Sequence, residues 1–128
     1  ATLNFFLFFI FSGQQQNYDI HQSPSDLLGF QGENAELQCK HSVSSLYMIL
    51  WYRRSLNDTS MQLIAYVHYK NPNVETPYLS HFNVSGDGAK HSTLYLLKLS
   101  AAEHTAVYYC AASTAQCFKL PHSPTKTF

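Results

Sequence analysis

Charge is what this sequence has least of. Eight basic and eight acidic residues make up 12% of the 128 positions and cancel to a formal balance of zero, where about a quarter charged is usual for a soluble domain. The balance removes the electrostatic case for a nucleic-acid binder, and the scarcity points to surface covered by a partner. An apolar run long enough to cross a bilayer is missing too, since LNFFLFFIF, from Leu3 to Phe11, is too short for a spanning helix. Catalytic and metal signatures are absent. The seven histidines, at 21, 41, 68, 81, 91, 104 and 122, stand singly, without His-x-His or His-x-x-x-His spacing or paired cysteines, so a zinc-ligand pattern is lacking. No serine sits in Gly-x-Ser-x-Gly, and Gly86-Asp87-Gly88 has neither the lysine nor the spacing of a phosphate loop. The sequence therefore assigns no catalytic residue, metal ligand or cofactor, and the expected function is binding.

What is present centres on two stretches, CKHSVSSLYMILWYRR from Cys39 and TAVYYCAAS ending at Ser113. Trp51 follows the first cysteine, and Tyr108 stands two places before Cys110. Their order and spacing resemble the immunoglobulin superfamily and, within it, the variable domain of an antigen receptor. The resemblance implies an all-β, V-type Greek-key sandwich. In it a Cys39–Cys110 disulfide joins strands B and F, Trp51 packs on the disulfide, and Tyr108 forms the corner before strand F. Three cysteines fit an oxidising compartment. The third, Cys117, is left over.

From the start of the chain, Leu3 to Phe11 followed by Ser12 and Gly13 reads as the apolar region and cleavage neighbourhood of a secretory leader. The aromatic run lacks the alternation of a half-buried strand, so residues 1–13 are expected to be a partial signal peptide and the domain to run over 14–113. Pro24 suits the edge or bulge of a kinked first strand. Asn34 to Cys39 alternates cleanly and reads as strand B. Strand C follows as Met48 to Arg54, with Tyr52 and Arg54 opposite in facing to Trp51. The stretch from Met61 to Tyr69 supplies the extra strand pair of a variable-type domain. Phe82 to Ser85 and His91 to Leu99 read as strands D and E, joined by a turn at Gly86-Asp87-Gly88. Asn57-Asp58-Thr59 and Asn83-Val84-Ser85 are N-glycosylation sequons.

HSVSSLYMILWYRR, LIAYVHYK, FNVSGDG and AVYYCAAS together look most like a T-cell receptor β-chain variable segment, over Ile20 to Ser113. The resemblance implies recognition loops at His41, Ser42, Val43, Ser44, Ser45, Leu46 and Tyr47, at Val67, His68, Tyr69, Lys70 and Asn71, and at Ala111, Ala112 and Ser113. Tyrosine and serine suit such loops, the first for contact area at small entropic cost and the second for adaptable hydrogen bonds. Tyr52, Arg54, Leu63 and Tyr109 are the implied pairing face toward an α-chain variable domain. Peptide bound to MHC is the implied ligand, CD3-type subunits the signalling partners, and the extracellular face of the plasma membrane the location. The family usually has glutamine at the position of Arg54, so an arginine there wants an acceptor. It also usually has an ion pair where this chain has His81 and His104, with Glu103 adjacent, so a weaker or pH-dependent lower corner is expected.

After Ser113 the family continues into a Phe-Gly-x-Gly strand G, whereas TAQCFKLPHSPTKTF has no such motif. Ala115-Gln116-Cys117 is compatible with translation of a recombination heptamer, CACAGTG, and Thr125-Lys126-Thr127 with an A-rich nonamer. The bases between them number about 22, near two turns of DNA at about 10.5 base pairs each. On this reading 114–128 is a translated recombination signal and Cys117 no designed thiol; a reactive or interchain cysteine is the competing view. The other readings are an innate or adhesion V-type receptor and a germline translation without function.

Overall fold

In the computed structural model, which describes residues 2–7, 20–23, 26–55 and 60–114, the chain forms ten strands. These are β1 (Thr2–Leu7), β2 (Ile20–Ser23), β3 (Asp26–Phe30), β4 (Ala35–His41), β5 (Met48–Ser55), β6 (Gln62–His68), β7 (Asn71–Val74), β8 (Phe82–Asp87), β9 (His91–Leu96) and β10 (Ala106–Ser113). A 3-10 turn covers Thr76–Tyr78, and a single helical turn, α1, covers Ala101–His104. One sheet has the order β3-β1-β10-β5-β6-β7 and the other β2-β4-β9-β8.

The faces follow from the residues. In β4, Leu37, Cys39 and His41 are buried while Glu36, Gln38 and Lys40 are exposed, the alternation of a strand with one face on a core. Central strand β10 is buried at seven of its eight positions and β5 at five of eight, the other four being half-buried. Leu37, Ile49, Trp51, Ile64, Phe82, Leu94, Leu96 and Tyr108 pack between the sheets. The Cys39–Cys110 disulfide ties β4 to β10 and closes a sequence separation of 71 residues, which in the chain-entropy account contributes about 4 kcal/mol. Trp51 adds a polar tie across the same core: its Nε1 donates to Ser92 Oγ (3.0 Å), which donates to Ser85 O (2.9 Å). The indole N–H, costly if buried alone, is thereby satisfied.

The structure departs from the sequence reading at two places. The turn expected at 86–88 lies two residues later, at 88–90. Gly86 and Asp87 belong to β8, opposite Ser92 and His91, and Asp87 Oδ1 accepts from Ala89 N while Lys90 N donates to Asp87 O. Gly86 is a strand glycine because φ is 125° and any Cβ would come within 2.7 Å of Ser92 Cα. Second, most of the second recognition loop is ladder: Val67 and His68 end β6, Asn71 begins β7, and only Tyr69 and Lys70 turn.

The N-terminus also enters the topology. Thr2–Leu7, read as part of a leader outside the fold, forms β1 between β3 and β10. An edge strand presents a row of backbone donors and acceptors, and this apolar segment supplies partners for them. Residues 8–19, Pro24, Asn57 and the tail from 115 to 128, on which several sequence expectations fall, lie outside the described residues.

Candidate recognition surface

Four connections meet at one end of the sandwich. Tyr47 N, just before β5, donates to Ser113 O at the end of β10, while Tyr69 N, in the β6–β7 turn, donates to Tyr47 O (3.1 and 3.0 Å). Gly88 N, after β8, then donates to Tyr69 O (2.7 Å). Side chains continue the chain of contacts. The Tyr47 and Tyr69 rings stack with centroids 4.8 Å apart and planes 2° from parallel, and the His68 ring lies 5.4 Å from each. Tyr69 has φ of 51°, a left-handed conformation that a bulky residue adopts only where its surroundings hold it, and it remains half exposed at 50%.

This arrangement divides the predicted loop residues into buried and exposed sets. His41 and Leu46 are buried. The His41 ring bridges inward, Nδ1 accepting from Val43 N (3.1 Å) and Nε2 lying 2.9 Å from Gly88 O; because Nδ1 accepts, Nε2 carries the proton and donates. Ser42, Ser44 and Ser45 are exposed, with Val43 and Tyr47 half-buried. In the second loop Val67 is buried, His68 is half-buried, and Tyr69, Lys70 and Asn71 are exposed. Ala111 and Ala112 are buried within β10 and Ser113 is half-buried. Sequence reasoning missed the share of Gly88 in this end, for it counted that glycine only as part of a turn.

The predicted pairing face lies on the outer side of β5, β6 and β10. Met48, Leu50 and Leu63 form a buried cluster there, with Tyr47, Tyr52 and Tyr66 packed on it. Leu63 and Tyr109 are themselves buried, so Tyr52 and Arg54 carry the accessible part of the predicted set. Arg54, expected to need an acceptor, sets its guanidinium 5.6 Å above the Tyr109 ring, a cation–π contact. Burial pushes the Tyr52 hydroxyl above its ordinary pKa.

At the opposite end, α1 forms the corner before β10. Ser100 caps it by accepting from Glu103 N (3.2 Å). Buried Tyr108 donates its hydroxyl hydrogen to His104 O (2.6 Å), and burial raises its pKa strongly. His104 is fully buried: Nδ1 accepts from Ser100 N (3.1 Å), Nε2 donates to His81 O (3.0 Å), and Phe82 meets the ring edge-on at 5.0 Å. Burial, ahead of every other cause, holds its pKa below the ordinary histidine value. His81 Nε2 stands 3.6 Å from Glu103 Oε1, and buried Arg53 donates to Glu103 O (2.7 Å). Two histidines and a backbone carbonyl thus stand where the resemblance implies an ion pair.

Comparison with known proteins decides the family. The profile described as Immunoglobulin V-set domain matches residues 22–125. T cell receptor beta variable 7-2 of Homo sapiens is 31% identical over 94 residues, covering 73% of this chain and 80% of that protein. The chain belongs to the immunoglobulin V-set family, as a T-cell receptor β variable segment. A solved chain, from work on the structural basis of T cell specificity and activation by the bacterial superantigen toxic shock syndrome toxin-1, superposes with a TM-score of 0.64. It shares 22% identity, over 76% of this chain and 82% of that one, and supports the fold.

The remaining candidate residues of this V-set domain are peripheral. Asn83 is exposed on β8, its Oδ1 accepting from Val84 N (2.9 Å). Asn57 and Cys117 fall outside the described residues. Among the described residues no group of three or more His, Cys, Asp or Glu gathers as a metal site, and no helix is long and apolar enough to cross a membrane.

Proposed function

We propose that this V-set domain serves, joined to an α-chain variable domain, as half of an α/β T-cell receptor that recognises peptide held by an MHC molecule. The first two loops contact the presenting molecule, a third loop encoded beyond Ser113 reads the peptide, and CD3-type subunits carry the signal. The chain passes through the secretory pathway, with residues 1–13 as its leader, and the assembled receptor stands on the extracellular face of the plasma membrane. Residues 114–128 are a translated recombination signal. The observation that carries this reading is the end surface in which Tyr47 and Tyr69 are stacked, with His68 tilted against both, and in which backbone bonds tie Tyr69 to Tyr47 and Tyr47 to Ser113. Rigid, half-exposed aromatic rings give large contact area with little entropy left to lose on binding.

The test is coexpression with a panel of α-chain variable domains, after a strand bearing Phe-Gly-x-Gly is supplied beyond Ser113. A heterodimer by light scattering is expected, as is peptide–MHC binding that drops at least tenfold in Tyr69→Ala while the melting temperature of that variant changes little. Absence of any heterodimer, or equal binding by Tyr69→Ala, would overturn the proposal. Sequencing of genomic DNA and lymphoid transcripts across codons 113–128 tests the tail: CACAGTG in the genome and its loss from transcripts is expected, while transcripts that retain the tail refute it.

A further inference from the structure

One motif of the sequence has no part in the pairing face or the recognition end. Asn83-Val84-Ser85 is an N-glycosylation sequon, and it lies in β8, the last strand in the order of the four-stranded sheet. Val84 is buried in the core, so the period of two turns Asn83 and Ser85 to the outer face. Asn83 is exposed there. Its carboxamide has a fixed sense: a backbone N–H only donates, so the atom 2.9 Å from Val84 N is the oxygen, Oδ1. Nδ2 is then the end of the carboxamide turned away from the strand, and no hydrogen bond holds it among the described residues.

The surroundings suit a sugar. Tyr95 of β9 stands directly opposite Asn83, and Glu36 of β4 opposite Tyr95. Gln38 and Lys40, further along the same face of β4, are exposed and polar. The Tyr95 hydroxyl meets Ser85 Oγ at 3.1 Å, so the half-buried ring crosses the outer face from opposite Asn83 toward Ser85. Side chains opposite one another in a ladder stand about 5 Å apart at Cβ, within reach of a first sugar on Asn83. A bulky group there obstructs neither surface described above. The pairing face belongs to the other sheet, and Gly88, at the recognition end, lies five residues further along the chain, about 17 Å at the rise of a strand.

We propose that Asn83 carries an N-linked glycan whose first sugar lies over Tyr95 on the outer face of the four-stranded sheet. The glycan closes that face to protein partners and leaves docking to the opposite sheet and the recognition end. The acceptor atom is Nδ2, and the donor is an oligosaccharide linked to a lipid pyrophosphate. Nδ2 bonds to the anomeric carbon and the bond from that carbon to the pyrophosphate oxygen breaks. The lipid pyrophosphate leaves with the electron pair, and Nδ2 gives up one of its two protons. Oδ1 takes no part, so the bond it accepts from Val84 N persists in the product. The inference rests on the reading that the chain enters the secretory pathway.

The test expresses the full chain in mammalian cells behind the leader of another secreted protein, which supplies entry independently of residues 1–13; the 39–110 disulfide in the peptide map verifies that entry. Peptide mapping after enzymatic glycan release is expected to find at least tenfold more glycan at Asn83 in the wild-type chain than in Ser85→Ala. Transfer acts on the unfolded chain, so the comparison holds even where a variant folds poorly. Equal signals overturn the modification. Hydroxyl-radical footprinting of the monomer then locates the sugar, with Asn83→Asp as the sugar-free reference that keeps an oxygen for Val84 N. Labelling of Tyr95 is expected to be at least threefold lower in the glycosylated chain, and labelling of Tyr69 equal in the two. Equal labelling of Tyr95 refutes the placement over its ring, and a drop at Tyr69 refutes an open recognition end. Failure of entry with residues 1–13 as the sole leader, while Asn83 is modified behind the other, counts against the leader and supports the glycan.

Discussion

Gly88→Ala is the sharpest probe of how the recognition end is held together. The position has no unusual φ, so conformational strain plays no part; space decides. A methyl group there meets the carbonyl oxygens of Tyr47 and Val67 and comes within 2.9 Å of Met48 Cα. All three are backbone atoms, so no side-chain rotation relieves them, and overpacking of this kind costs about 1–3 kcal/mol. The shift also strains the bonds from Gly88 N to Tyr69 O and from His41 Nε2 to Gly88 O, each with a net contribution of about 1 kcal/mol. The combined loss is about 3 kcal/mol, a large share of a stability of roughly 5–15, and lowers the melting temperature by about 12 °C in a domain of this size. Gly32→Ala is the comparison. Its φ is 89° with nothing within 4 Å of the added Cβ, so it costs about 1–2 kcal/mol from conformation alone. Hydrogen exchange separates the two: Gly88→Ala should speed exchange at Tyr47 and Tyr69, and Gly32→Ala should not. A melting shift under about 3 °C for Gly88→Ala, or unchanged exchange at both tyrosines, refutes the steric argument.

Two further outcomes are expected at the opposite end. Burial is the main cause of the lowered His104 pKa, the charges of His81 and Arg53 add to it, and the bond that Nε2 donates to His81 O opposes it. Between the lowered value and the ordinary 6.5 the unfolded chain binds more protons than the folded one, so this contribution is complete above about pH 6.5 and is lost as pH falls. The melting temperature should drop from about pH 7.5 to about pH 5, less steeply in His104→Gln; equal slopes count against His104 as the group. Tyr108→Phe removes the 2.6 Å bond to His104 O in a buried corner and should cost about 1–3 kcal/mol in urea unfolding, with a loss under about 0.5 kcal/mol showing that the carbonyl finds another donor.

The sandwich was legible wherever one face of a strand is polar. Asn34 to Cys39 announces β4 by its alternation, and the sequence order of Cys39, Trp51, Tyr108 and Cys110 carries the resemblance that fixes the architecture. What escaped reading depends on which strands neighbour one another. Leu63 and Tyr109 look like exposed apolar residues on a pairing face, yet the cluster of Met48 and Leu50 and the Arg54 guanidinium cover them. Leu46 and His41 carry loop-like neighbours but serve as buried anchors. Gly86 lies in a glycine-aspartate-glycine string that spells a turn, and only the approach of Ser92 shows that it is strand. LNFFLFFIF has the composition of a leader, and composition does not state what an apolar segment pairs with while it remains attached.

The bonds linking Tyr47, Tyr69, Ser113 and Gly88 run from backbone to backbone, so at 47, 69 and 113 they depend on no side chain, and only proline at a donor position removes one. Loops of this kind can therefore vary in sequence without losing their relative position, provided that the residue after Asp87 stays a glycine. The cost of that freedom is coupling: a substitution that moves the main chain at Tyr47 must also move Tyr69. The first two predicted loops consequently present one composite surface.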